Sequence, residues 1–235
     1  MISKIIARYS EKYSFQNLFA WLILYLVVTP FLEKMPGTNF VLTGFISMVL
    51  FFAVLAIRKE GMLFKWTIGT LSICLILLWL DVLRLVSYPR IINTIILIIY
   101  MAMIVYSFAK YVFEAKVVNT SLICAALCLY LFLGSLWGFV YETLEIIRPG
   151  SFGGFLIEQS TSALELRQHF QYLSLVTITT LGYGDILPRT SGAAALCDTE
   201  AVIGQIFMAV LVARLVGIQV AQKLTCEADR DNREA

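Results

Sequence analysis

The residues whose types and spacing could do chemistry lie in one short segment, Thr177 to Asp185, with the sequence TITTLGYGD. The groups in this segment that could do chemistry are mainly its backbone carbonyl oxygens. Glycine adopts positive φ without penalty, and two glycines stand at the alternate positions 182 and 184. Such an alternation of backbone handedness turns successive carbonyl oxygens to one side. With the Thr180 hydroxyl beside them, these oxygens are a ligand set for a cation that has lost its hydration shell.

The element that must position this segment is a short apolar run, Phe170–Leu181. A helix rises about 1.5 Å per residue and the hydrocarbon core is about 30 Å thick, so this run is too short to cross a membrane. Hydroxyl side chains also interrupt it. Two interpretations stay open: a re-entrant segment between two full spans, and an amphipathic helix on the outer surface.

Six other stretches are apolar and long enough to cross a membrane, at about 20 residues per crossing. They are Tyr13–Leu32, Met35–Ile57, Trp66 to about Tyr88, Ile91–Ala109, Val117–Tyr141 and Ala201–Gln222. Lysine and arginine concentrate in the loops on the side that both termini share. The positive-inside rule therefore predicts that both termini are cytoplasmic.

The composition agrees with a membrane protein. Of the 235 residues, 60% are hydrophobic and 14% are charged, and the mean hydropathy is +0.83. These values exclude an ordinary soluble protein and a disordered chain, and a net charge of +2 gives no reason to expect a nucleic-acid partner. The single histidine, His169, excludes a histidine-based metal or catalytic cluster within one subunit. We expect no enzyme activity and no cofactor.

The nine-residue segment resembles the selectivity filter of potassium channels, where T-x-x-T-x-G-Y-G-D is the family signature. The resemblance covers roughly Thr120 to Gln222. It implies that four subunits surround K⁺ with rings of oxygens. The residues implied in ion binding are Thr180, Leu181, Gly182, Tyr183 and Gly184.

Other residues are implied in supporting the filter, namely Thr177, Thr179, Tyr172 and Asp185. The Tyr183 side chain is expected to point away from the pore axis and to pack against neighbouring helices. Two positions depart from the family pattern. Leu181 replaces the more usual Val or Ile, and Val176 stands where some bacterial relatives have a glutamate. Asp185 must then find another partner, for which Tyr172 and His169 are the candidates.

The last apolar run contains two candidate gating residues. Gly204 lies 19 residues beyond Asp185, where many channels of this family have a hinge glycine. It could equally permit close packing against the pore helix. Arg214 lies ten residues further on and is expected near the cytoplasmic end, where it could snorkel or face the water-filled pore mouth.

Four helices before a two-helix pore match voltage-gated channels in number only. A voltage-sensing fourth helix carries Arg or Lys at every third position, and Ile91–Ala109 carries no charge. We therefore expect shallow voltage dependence. Asp81 and Arg84 on the third helix could form a local pair. The predicted divisions are a four-helix domain over residues 1–116, a pore domain over 117–223 and a short cytoplasmic tail over 224–235.

Together these features predict an all-α membrane protein. It would have six transmembrane helices, with a re-entrant pore helix and selectivity filter between the fifth and sixth, assembled as a homotetramer. The predicted function is a K⁺-selective channel in a bacterial inner membrane, with K⁺ and membrane lipids as its partners. Two alternatives stay open: a non-selective cation channel of the same architecture, and a non-conducting membrane sensor or subunit.

Overall fold

The computed structural model describes residues 2–32, 38–56, 62–83, 89–160 and 162–234. Within these ranges the helices are α1 (Ile2–Leu32), α2 (Thr38–Ala56), α3 (Met62–Val82), α4 (Arg90–Glu114), α5 (Thr120–Ile147), α6 (Phe155–Glu158), α7 (Ala163–Ile178) and α8 (Ser191–Glu234). Two short strands, β1 (Phe152–Gly153) and β2 (Leu187–Pro188), pair antiparallel. Arg84, and with it the predicted pair to Asp81, lies outside the described residues.

Three helices of the described chain are long and apolar enough to cross a membrane, over Arg90–Glu114, Thr120–Ile147 and Ser191–Leu224. Shorter apolar stretches lie in α1, α2 and α3, over Ser14–Thr29, Phe40–Ala56 and Phe64–Leu80. The protein is therefore a helical membrane protein with three candidate spans among the described residues, and six crossings stay a prediction. The expectation of a wholly helical chain missed only the β1–β2 pair.

The link between α4 and α5 is short and covers residues 115–119. It ends at Asn119, whose side chain accepts a hydrogen bond from the Leu122 amide at 2.8 Å and so begins α5. Because the link is short, α4 packs along α5 of the same chain, and α1 packs there too. The predicted domain boundary at 116/117 falls in this link and stays a prediction.

One hydrophobic core joins the first four helices to α5. At its centre the ring of Phe108 on α4 meets Phe15 of α1 and Phe132 of α5 edge to face, with centroids 5.3 and 5.5 Å away. The buried Tyr100 hydroxyl donates to the Leu50 carbonyl of α2 at 2.6 Å. These contacts make the four-helix region a collar packed directly on α5.

The short helix α7 is the element that carries the candidate site. It begins with a capping box, in which Ser162 and Glu165 satisfy each other's backbone amides. Its 16 residues correspond to about 24 Å, and it packs against both α5 and α8. Its buried side chains include those of Phe170, Leu173 and Ile178. The chain then turns back at Thr179 toward β2.

Candidate functional site

The C-terminal end of α7 is the first part of the site. The hydroxyls of Thr177 and Thr179 donate to the carbonyls of Leu173 and Leu175, at 2.8 and 2.6 Å. These bonds keep both threonines folded onto their own helix. The partial negative charge of a helix C-terminus then lies directly before Thr180, which favours a cation at this point.

Residues Thr180–Gly184, which we call the filter segment, have the backbone alternation that the glycine spacing predicts. Gly182 and Gly184 have φ of 60° and 77°. The structure adds a third position that the glycine pattern missed, because Thr180 also has positive φ, at 59°. Left-handed conformations are uncommon outside glycine. Every second residue of the filter segment is therefore left-handed, with the strain concentrated at Thr180.

The first part of the filter segment is bonded directly to the end of α7. The amides of Leu181 and Gly182 donate to the Val176 carbonyl, at 2.9 and 3.4 Å. Beyond them the side chains of Leu181 and Tyr183 are 54% and 67% exposed. Tyr183 is therefore mostly uncovered in this single chain, and its packing against neighbouring helices stays a prediction.

Asp185 closes the filter segment on the outer side. Of the two partners expected for it, the structure provides Tyr172, whose hydroxyl donates to Asp185 Oδ2 at 2.6 Å. Burial, followed by the hydrogen bond to this carboxylate, raises the pKa of Tyr172 to about 12, so the phenol keeps the proton that it donates. His169 instead has Nδ1 2.8 Å from the Ser160 hydroxyl.

A second support for Asp185 was not predicted. Gly154 lies against its main chain, and a Cβ built on Gly154 would lie 2.1 Å from the Asp185 carbonyl oxygen. The β1–β2 pair brings the two segments together, since Gly153 is opposite Leu187. The only sequence signal for this contact is the Gly153-Gly154 pair, which a turn would equally explain.

The inner helix α8 approaches the end of α7 at Gly204. A Cβ there would lie 2.6 Å from Ile178 Cγ1 and 2.8 Å from the Ile178 carbonyl oxygen. The same carbonyl accepts a hydrogen bond from the Tyr130 hydroxyl of α5 at 2.9 Å. Close packing, one of the two interpretations of Gly204, is what this structure contains. The hinge stays a prediction, since α8 is one continuous helix through this position.

Arg214 lies against the end of α4. Its Nη2 donates to the carbonyls of Phe113 and, at 3.3 Å, Ala115, and its guanidinium lies 5.7 Å from the centroid of the Phe113 ring. Its expected place at the pore mouth or the membrane surface stays a prediction. The last carbonyls of α4 lack helical partners and carry partial negative charge, which attracts the cation.

Close by, the Val118 amide donates to Gln222 Oε1 at 3.2 Å, so α8 contacts the α4–α5 link twice.

The comparisons with known proteins agree with this geometry. Residues 125–220 match a family model described as an ion channel. The matched region starts within α5 and ends within α8, so it contains α7 and the filter segment. A search of curated proteins gave no match, and neither did a search of solved structures. The match supports the resemblance to pore-loop cation channels, and with it an ion channel.

Proposed function

We propose that this protein is a K⁺-selective channel that conducts passively across a membrane as a homotetramer. The observation that carries the proposal is the backbone of the filter segment, where alternate residues have positive φ directly after the C-terminal end of α7. Few other tasks require that conformation in a motif placed between two apolar helices. The match of residues 125–220 to the ion-channel family gives independent support.

In this proposal the carbonyl oxygens of Thr180, Leu181, Gly182 and Tyr183 replace the hydration shell of K⁺. The Thr180 hydroxyl donates to the Thr179 carbonyl at 2.6 Å, which leaves its lone pairs for the ion. The Tyr172–Asp185 hydrogen bond holds the outer end of the filter segment. No cofactor is required, because backbone dipoles and a helix end supply the electrostatics.

Fourfold assembly follows from what one chain leaves uncovered. A single filter segment cannot surround an ion, and unpaired backbone cannot face lipid. The apolar helix α8 is also poorly covered, with 11% of its most apolar stretch buried in the single chain. A closed ring of four copies would cover both features, with α8 and the filter segment nearest the axis.

The membrane placement that we propose has six crossings and both termini in the cytoplasm, in a bacterial inner membrane. Lys110, Lys116 and Lys223 lie at the same end of the bundle as the contact between Arg214 and the α4–α5 link. A cluster of lysines is typical of the cytoplasmic side. The filter segment would then open to the outside.

Gating would involve the inner half of α8. The collar of helices α1 to α4 carries no row of basic residues on α4, so we propose that it responds to a stimulus other than voltage. The two contacts made by Arg214 and Gln222 would transmit its movement to α8. A bend near Gly204 would require that helix to separate from Ile178.

The decisive experiment is cation flux from the purified protein in liposomes. We expect K⁺ and Rb⁺ to permeate and Na⁺ to permeate poorly. A matched control is Leu181→Val, which should conduct like the wild type because the backbone carbonyl does the coordination. A reversal potential near zero with Na⁺ opposite K⁺ would establish a non-selective channel instead, and absence of flux in both proteins would favour a non-conducting subunit.

A further inference from the structure

A buried carboxyl group lies behind the filter segment, where α5, α7 and α8 meet. It belongs to Glu200 of α8, whose side chain is fully buried. The Tyr141 hydroxyl of α5 donates to its Oε2, and its Oε1 lies within hydrogen-bond distance of the Ser174 hydroxyl of α7. The expectations from sequence gave this glutamate no role.

The hydrogen atoms around Ser174 can be counted. Its Oγ lies 2.5 Å from the Gly134 carbonyl oxygen and also contacts Glu200 Oε1. A serine hydroxyl has one hydrogen, and a peptide carbonyl only accepts. If the Ser174 hydrogen points to Gly134, the hydrogen between Ser174 and Glu200 comes from the glutamate. The Tyr141 hydrogen occupies the other carboxyl oxygen.

Among the residues that the structure describes, none facing Glu200 supplies a positive charge that would replace this proton. The ionisable groups facing Glu200 are Tyr130 and Tyr141 of α5 and Cys197 one turn earlier on α8. On α7 the cation Arg167 forms its ion pair with Glu142. A buried carboxylate with hydroxyl and thiol neighbours alone would be unpaired, which is costly in an apolar environment.

We propose that Glu200 holds a proton at neutral pH and acts as a positioning residue, clamping α7 between α5 and α8. Ser174 lies two residues before Val176, whose carbonyl accepts from the amides of Leu181 and Gly182 in the filter segment. The clamp therefore fixes the helix end from which that segment starts. The effect on ion selectivity rests on the proposed channel function, whereas the proton itself does not.

The first test compares two substitutions of Glu200. Glu200→Gln can reproduce the whole pattern, because its amide nitrogen donates to Ser174 and its carbonyl accepts from Tyr141. We expect it to be at least as stable as the wild type in thermal unfolding at neutral pH and to keep K⁺-over-Na⁺ selectivity. Glu200→Leu removes the acceptor of the Tyr141 hydroxyl and the group bonded to Ser174 Oγ, and it should lower both. A Gln variant as unstable as the Leu variant would overturn the proposal.

The second test measures the proton directly, on the full-length protein in lipid. The infrared difference spectrum between wild type and Glu200→Gln should contain the carbonyl band of a protonated carboxylic acid at pH 7. Asp198→Asn is the matched control, since Asp198 is exposed on the same helix, and its difference spectrum should contain carboxylate bands only. A wild-type spectrum with only carboxylate bands at Glu200 would refute the proposal, whether or not the protein conducts.

The third test uses pH. An unfolded glutamate loses its proton near pH 4.3, so a folded state that keeps it is favoured most at acidic pH. The folding equilibrium of the wild type, relative to Glu200→Gln, should fall about tenfold per pH unit above about pH 5 until the folded chain loses the proton. A ratio that is flat from about pH 5 to 8 would show that Glu200 is already ionised. Flux measured in the same samples reports on the channel function separately.

Discussion

A buried ion pair joins α5 and α7, and replacing either of its two residues should lower the free energy of unfolding. Arg167 Nε donates to Glu142 Oε2 at 2.8 Å, and its Nη2 donates to Oε1 at 3.1 Å. The side chains of Arg167 and Glu142 are 11% and 0% exposed, and the guanidinium lies 5.8 Å from the centroid of the Phe139 ring. Removing either charge leaves the other buried without this ion-pair partner.

We therefore expect Glu142→Gln and Arg167→Met each to lower the free energy of unfolding by about 3–5 kcal/mol. Replacing both, as Glu142→Gln with Arg167→Met, removes the unpaired charge along with the pair and should cost less than either single substitution. The measurement is reversible unfolding in mixed detergent micelles, followed by circular dichroism. The exposed pair of Arg189 and Glu158 is the matched control, and Glu158→Gln should cost no more than about 1 kcal/mol.

The reasoning would be refuted by a loss below about 1 kcal/mol for Glu142→Gln, since a pair of that strength is typical of exposed sites. It would also be refuted if the double variant lost as much as the two single variants together. Additive losses would mean that the two side chains do not interact in the folded protein.

Three further predictions concern glycines and voltage. Gly182→Ala should abolish K⁺ flux while leaving assembly intact, because φ is 60° there, and wild-type flux would contradict the filter geometry. Gly204→Ala should lower the free energy of unfolding by about 1–3 kcal/mol, because the added Cβ would clash with Ile178. Gly217→Ala on the same helix is the control in thermal unfolding. It has open space around it and should be neutral or stabilising. Open probability should change only shallowly between about −100 and +100 mV, and a steep sigmoid would reveal a voltage sensor that α4 does not provide.

The sequence by itself determined the class of protein and the position of its site. An apolar stretch of about 20 residues has few alternatives to a membrane helix. In lipid its backbone amides and carbonyls can bond only to protein groups, and a helix satisfies them within the stretch itself. The spacing of Gly182 and Gly184 likewise predicts the backbone alternation, because φ preferences are local.

The tertiary structure decided which side chains support that site. Arg214 could be placed by depth along a helix, but its contact with the end of α4 depends on how two helices pack. The choice of Tyr172 over His169 as the partner of Asp185 has the same origin. The positive φ at Thr180 was not predicted, because φ preferences of the sequence point to positive values mainly at glycine and this residue is a threonine. The burial of Glu200 between Tyr141 and Ser174 joins residues that are 59 and 26 positions away from it, and packing alone brings them together.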